Sequence, residues 1–162
     1  MIFIDGTNLF ERFRSAKLSV PRLLPLLEPL VRPRKLVRPY LYTSSHRLSQ
    51  AEEYHGLDWL EGVHVVLGDS VQTGDGSFKE KAVDALLVAD LIYHAAQRNY
   101  EYAVVVTHDT DYRYAIKRVG DFGCRTSVAA FCVDAPDRLK TACDEYQYVD
   151  EAEVERQVLG LT

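Results

Sequence analysis

The run Tyr102–Thr107, YAVVVT, constrains this chain more than any other feature. It is short, uncharged and rich in β-branched residues. Such a run predicts a strand covered on both faces, as in a parallel sheet. Parallel neighbours need long crossovers, usually helices, and the chain offers both kinds of segment in alternation. Strands are expected at Met1–Ile4, Leu36–Thr43, Val63–Leu67, Thr126–Phe131 and Tyr146–Val149. Pro39 argues that the second of these lies near a sheet edge or at a bulge. Helices are expected at Leu9–Ala16 with Asn8 as cap, His46–Leu60, Lys81–Arg98, Asp111–Val119 and Pro136–Cys143. An acidic last helix is expected at Glu151–Val158, within about 150–159. The helix Lys81–Arg98 is apolar on nearly all sides, so it should pack against a sheet and another helix. Ser19 and Pro21 could open a further helix, but Pro25 and Pro29 reduce it to a kinked helix or two turns. Gly68–Lys79 reads as turns or a hairpin tip. Strands alternating with helices make an open α/β layer with mainly parallel strands.

The chain has 162 residues, about right for one domain over 1–162. No apolar run approaches the roughly 18 residues of a membrane-spanning helix, so no membrane partner is expected. The opening MIFID carries no basic segment ahead of an apolar core, so no secretory signal is expected. Three cysteines, Cys124, Cys132 and Cys143, contain no C-x-x-C, which fits small buried hydrophobes in a reducing cytoplasm. The net charge of −5 is unevenly spread: residues 1–50 hold nine Lys/Arg against three Asp/Glu, and the remainder is strongly acidic. Charge alone argues against nucleic acid, whose partners are usually basic. Acids clustered around a metal would invert that argument.

In open α/β sheets ligands gather at the carboxyl ends of the strands. That rule selects Asp5 after the first strand, and Asp109 and Asp111 after the most apolar one. Asp84, in the first turn of the long helix, can point back at the same edge. Each has an ordinary reading alone: a turn, a helix-start acid, a loop cap. Together they place four carboxylates from three distant segments at one edge. Two carboxylates about 4 Å apart repel by roughly 4 kcal/mol at an effective dielectric of 20. Such a cluster calls for protonation or a cation, and an all-carboxylate set suits Mg²⁺ or Mn²⁺. Asn8 is either a cap or a group that holds Asp5 or phosphate. Asp90 is about 120° from Asp84 around the helix, so it reads as a supporting or purely structural acid. Arg12, Arg14 and Lys81 are candidates for phosphate contact. The run VRPRKLVRP is more simply a solvated face.

The strings FIDGTNLF at 3–10, KAVDALLVADL at 81–91 and VVVTHDTDY at 104–112 resemble the NYN domain, a branch of the PIN-like nucleases, and its bacterial LabA-like group. The resemblance runs in order from residue 2 to about 132. It implies a Rossmann-like three-layer α/β/α sandwich, a divalent-metal site at Asp5, Asp84, Asp109 and Asp111, and metal-dependent hydrolysis of RNA. Asn8, Lys81 and Asp90 match flanking family positions. Two positions depart from the pattern. Thr107-His108, both candidates for substrate contact, stands where the family has Ser-Gly, and Tyr112 where it has Phe. An imidazole in place of glycine could narrow a groove, contact phosphate or metal, or be an exposed loop residue.

The leading expectation is a metal-dependent endoribonuclease that leaves a 5′-phosphate. The rival is a PIN-like module that binds RNA or a protein partner, or self-associates, without turnover, with the acidic stretch Asp144–Glu155 as docking surface. A haloacid-dehalogenase phosphatase would need an aspartate two residues before the Asp of Asp-Gly-Thr, where Phe3 stands. A dinucleotide-binding dehydrogenase would need a G-x-G-x-x-G that the first turn lacks.

Overall fold

Strand alternation sets the architecture. In Ile2–Asp5 (β1), Phe3 turns to one face of the sheet while Ile2 and Ile4 turn to the other; in Tyr102–Val106 (β5), Val105 sides with Phe3, and Val104 and Val106 with the isoleucines. Both faces are therefore apolar, and each needs its own layer of helices. The computed structural model describes residues 1–161, so the last residue of the expected span 1–162 lies outside it. Over those residues the protein is a three-layer α/β/α sandwich.

The remaining strands are Pro39–Ser44 (β2), His64–Gln72 (β3), Phe78–Lys81 (β4), Arg125–Phe131 (β6) and Glu145–Val149 (β7). They form one seven-stranded sheet in the order β4-β3-β2-β1-β5-β6-β7. Every pairing is parallel except β3–β4, an antiparallel hairpin. One face is covered by Gly6–Ser15 (α1), Leu24–Leu27 (α2), Ser45–His55 (α3) and Glu151–Val158 (α7). The other is covered by Val83–Ala96 (α4), Arg113–Gly120 (α5) and Asp137–Lys140 (α6). The strand order reverses between β1, which leads to β2, and β5, which leads to β6. Crevices at such switch points hold the ligands of open α/β sheets.

Several expectations change in detail. Pro39 opens β2, an internal strand between β3 and β1. It is tolerated because a first strand residue can forgo its N–H. Asp5 caps α1 through a side-chain bond from the Asn8 N–H, so Asn8 lies in the first turn instead of before it. Lys81 ends β4 and precedes α4. Helix α4 does pack on the sheet and on α5. Its fully buried stripe is only Val83, Leu87, Leu91 and Ala95, and Tyr93 faces solvent. The prolines around residue 25 yield two short turns, α2 and a 3-10 turn at Glu28–Val31. The acidic stretch Asp144–Glu155 is largely engaged within the fold. Asp144 accepts the Thr126 N–H at 2.7 Å, Glu145 meets Arg34 and Arg125 at 3.7 and 3.6 Å, and Asp150 caps α7. Among the described residues no helix is long and apolar enough to cross a membrane.

One buried group makes the fold sensitive to acid. His55, 5 % exposed, accepts the Val20 N–H through Nδ1 and stacks on Trp59. Burial pushes its pKa down to about 4, against about 6.5 in an unfolded chain. The unfolded chain therefore takes up the proton first. The stability conferred by the neutral ring is complete above about pH 6.5 and is lost as pH falls toward about 4. Between pH 7 and 5 this amounts to about 2 kcal/mol. Relative to its parent, His55→Asn, which keeps an acceptor but does not titrate, should gain about 2 kcal/mol in urea unfolding between pH 7 and pH 5. An unchanged pH dependence in that variant would refute the assignment.

Candidate active site

The carboxyl end of β1 delivers Asp5 into the switch-point crevice. Its Oδ1 accepts the Asn8 N–H at 3.1 Å, and its Oδ2 accepts the Thr107 hydroxyl at 3.1 Å. The same hydroxyl oxygen accepts the Asp109 N–H at 3.0 Å, and Asp109 Oδ1 accepts the Asp111 N–H at 2.9 Å. Across the crevice Asp84, in the first turn of α4, accepts the Tyr112 hydroxyl at 2.7 Å. One network thus links the ends of β1 and β5, and Tyr112 ties the start of α4 to the turn after β5. Asp5 is 6 % exposed. Burial, with repulsion from the Asp84 and Asp109 carboxylates added, raises its pKa to about 7 despite the two hydrogen bonds it accepts. The Tyr112 hydroxyl is pushed far above its ordinary value by burial and by the same acids, so it stays a donor.

Two glycines make the crevice possible. A Cβ on Gly6 would stand 2.7 Å from the Tyr42 carbonyl oxygen and 2.7 Å from the Leu41 side chain. One on Gly68 would meet the Lys81 carbonyl oxygen at 2.8 Å and a Val83 methyl at 2.7 Å. The first absence lets α1 start against β2; the second lets β3 pass under the β4–α4 junction. At that junction Ala82 has φ 66°, a left-handed conformation that costs a residue with a Cβ about 1 kcal/mol.

These elements enclose a cleft of about 450 Å³ lined by Asp5, Thr7, Asn8, Glu11, Glu80, Ala82, Val83, Asp84, Ala85 and Asp109. Of the expected acids, Asp5, Asp84 and Asp109 share it. Asp111 does not: the 3-10 turn that Asp109 caps points it outward, its side chain is 92 % exposed, and it lies 3.7 Å from Arg113. Asp90 is also elsewhere, accepting the buried Tyr42 hydroxyl at 2.9 Å. Thr107, expected to touch substrate, is buried and spends its hydroxyl on Asp5 and Asp109. Lys81 is exposed beside the lining residues Glu80 and Ala82. Arg14 lies in a separate recess with Gln50 and Tyr54, so it does not face the cleft. Arg12 has a buried Nε without a partner among the described residues, and its charge is felt by His108.

His108 fastens loops together. Nδ1 is 2.8 Å from Asn8 Oδ1 as the amide is placed, and Nε2 is 2.5 Å from the Val133 carbonyl oxygen. Burial, aided by Arg12, lowers its pKa, so the ring is neutral and has one N–H. Donation from Nε2 to Val133, with the Asn8 NH₂ turned toward Nδ1, satisfies both ends. The imidazole is thus engaged in these two contacts and does not line the cleft.

Glu80 and Glu11 were not legible as site residues. Glu80 accepts the Thr7 hydroxyl at 2.8 Å and the Ser44 N–H at 3.1 Å, pinning the hairpin to α1 and β2. The alternation of F-K-E-K would place Phe78 and Glu80 on one face, but only after the segment is known to be a strand. Among the described residues, no three His, Cys, Asp or Glu side chains stand so that one ion could take them all. The donor chemistry nonetheless suits a hard divalent cation. The lining ligands are all carboxylates, no thiol is present, and Asp5 carries uncompensated repulsion from two neighbours. Closing a coordination shell there requires the side chains to turn inward.

No curated protein matches this chain. Its fold is similar to the crystal structure of a protein of unknown function, VPA0982 from Vibrio parahaemolyticus, with TM-score 0.69, 19 % identity, and 93 % of this chain and 91 % of that one covered. The family model of the NYN domain matches residues 1–150. With that match over nearly its whole length, and with the sandwich and cleft described above, the chain belongs to the NYN domain family and hence to the PIN-like superfamily.

Proposed function

We propose that this chain is a divalent-metal-dependent endoribonuclease whose reaction takes place in the Asp5–Asp84–Asp109 cleft. The family suggests a nuclease. The observation that carries the reading is the convergence of those three acids at the switch point, with Asp5 held at a pKa of about 7 by burial and two like charges. A carboxyl so placed gives up its proton readily to an arriving cation. Asp5, Asp84 and Asp109 would hold Mg²⁺ or Mn²⁺, which when bound supplies water activation and charge stabilisation at a phosphodiester. The chain's own residues set the stage. Thr107 orients Asp5 and Asp109 together, Tyr112 holds Asp84, and Asn8 presents its amide at the cleft wall. Lys81 offers positive charge at the rim, where a polyanion must approach an acidic site. Asp111, exposed as it stands, would have to swing inward to take part. The single sheet also supports reading the chain as one domain.

Cleavage of a labelled RNA should require Mn²⁺ or Mg²⁺ and vanish with EDTA. Cleavage that persists in EDTA would end the metal-dependent reading. A second reading, a PIN-like module without turnover, is favoured by one observation: among the described residues, no three ligands stand ready around one point. Calorimetry with Mn²⁺ separates the two, since metal uptake with no RNA product supports the module.

A further inference from the structure

Beyond the cleft an exposed phenylalanine ring is stacked on a half-buried imidazole. Phe78, the first residue of β4, is 46 % exposed. Its ring lies on the imidazole of His46, with centroids 4.2 Å apart and planes 21° apart. The imidazole is anchored, because Gln50, one turn along α3, hydrogen-bonds to its Nε2 at 3.2 Å. An exposed phenylalanine on an edge strand is a liability that folding alone does not require.

Strand geometry relates this pair to the acids. Phe78 and Glu80 are two residues apart on one face of β4, about 7 Å along the strand. Glu80 lines the cleft and accepts the Ser44 N–H, and His46 follows Ser44 by two residues. The stack therefore lies just beyond the cleft wall. Cationic residues lie close by in the chain, on the other face of β4 and on α3. Lys79 and Lys81 alternate with Phe78 and Glu80 and make no salt bridge among the described residues. Arg47, next to His46, reaches Glu11 of the cleft wall at 3.2 Å.

We infer that the His46–Phe78 pair is a stacking platform for an unpaired base of single-stranded nucleic acid whose neighbouring phosphate enters the acidic cleft. The inference rests on the nuclease reading and adds to it a substrate-binding site. A flat exposed π-face accepts any base, whereas duplex bases are already stacked on both sides. A backbone that passes over the sheet edge at β4 meets Lys79 and Lys81 on the strand's other face, which attract phosphate without reading sequence.

The test uses the full chain carrying Asp109→Asn, so that no substrate is consumed, in Mg²⁺ buffer. Anisotropy is measured with a labelled uridine-rich RNA strand, the DNA strand of matching sequence, and an RNA duplex. Adding Phe78→Ala should weaken single-strand binding about tenfold and leave duplex binding unchanged. Phe78→Trp should restore it. The salt dependence should keep its slope, because no phosphate contact is lost. Because Phe78 is exposed, the alanine variant should melt like its parent. A loss for RNA and DNA strands alike, or for RNA alone, supports the platform and tells whether the sugar is read elsewhere. An equal loss for the duplex, or no loss at all while the parent binds, overturns the platform and leaves the nuclease reading standing. If the parent binds no single strand, both fall.

Discussion

Asp5→Asn is expected to lower Mn²⁺-dependent RNA cleavage by at least about a hundredfold, since even residues that only support a metal ligand are worth about 10- to 100-fold. The same substitution should leave the protein folded and, above pH 7 without metal, more stable than its parent. Asn keeps one acceptor oxygen for the Asn8 N–H that Asp5 now receives. The stability change follows from the titration. The Asp5 carboxyl has a pKa of about 7 in the folded protein, against about 3.9 when unfolded. The folded state therefore holds the proton more tightly. Its advantage is complete below about pH 4 and disappears as pH rises through about 7, a change of about 4 kcal/mol. Asparagine carries no such charge, and in the parent a bound divalent cation would offset it. Thermal melts at pH 6 and pH 8, with and without Mn²⁺, test the whole argument. Parent-level cleavage by Asp5→Asn would refute the assigned site. A variant less stable than the parent at pH 8 in EDTA would refute the electrostatic account.

Gly6→Ala should destabilise the fold by about 3 kcal/mol, the upper part of the usual range for overpacking, and lower Tm by roughly 6–12 °C for a chain of this size. The added Cβ would press on a backbone carbonyl of β2, which cannot rotate away, as well as on the Leu41 side chain. Relief requires α1 to lift from β2. Asp5, the cap of that helix, would move with it, so activity should fall as well. Gly120→Ala is the matched control: nothing lies within 4 Å of its added Cβ and its φ is not positive. It should be neutral or stabilise by up to about 1 kcal/mol. A Gly6→Ala protein that melts with its parent would show that the close contact between α1 and β2 is not needed.

Much of this architecture is written locally in the chain. YAVVVT, MIFI and TSVAAF can be buried only as strands with covered faces, so a parallel sheet between helices follows from composition and period. Asp5, Asp84 and Asp109 were legible because topology alone sends strand ends and helix starts to one edge. Other features were hidden for identifiable reasons. Pro39 suggested an edge strand, yet a proline costs an internal strand nothing at its first position. Asn8 suggested a cap, but the competing acceptor Asp5 lies closer to the helix start. Asp111 was grouped with Asp109 because the two are adjacent in sequence. The hydrogen bond from Asp111 N–H to Asp109 closes a 3-10 turn that sends their side chains different ways. Glu80 was hidden between Gly68–Lys79, which reads as turns or a hairpin tip, and the helix expected from Lys81.

Periodicity and turn chemistry alone thus determine the layers, the order of elements and the edge where acids collect. Those signals are local: each depends on a few consecutive residues meeting water or the core. Tertiary contact decides what each polar group finally faces. The pairing of His108 with Asn8, the grip of Thr107 on Asp5, the capture of Glu80 by Thr7 and the stack of Phe78 on His46 join residues 32 to 102 positions apart. No local rule ranks such partners, because each bond forms only after packing has brought the segments together and removed the competing water.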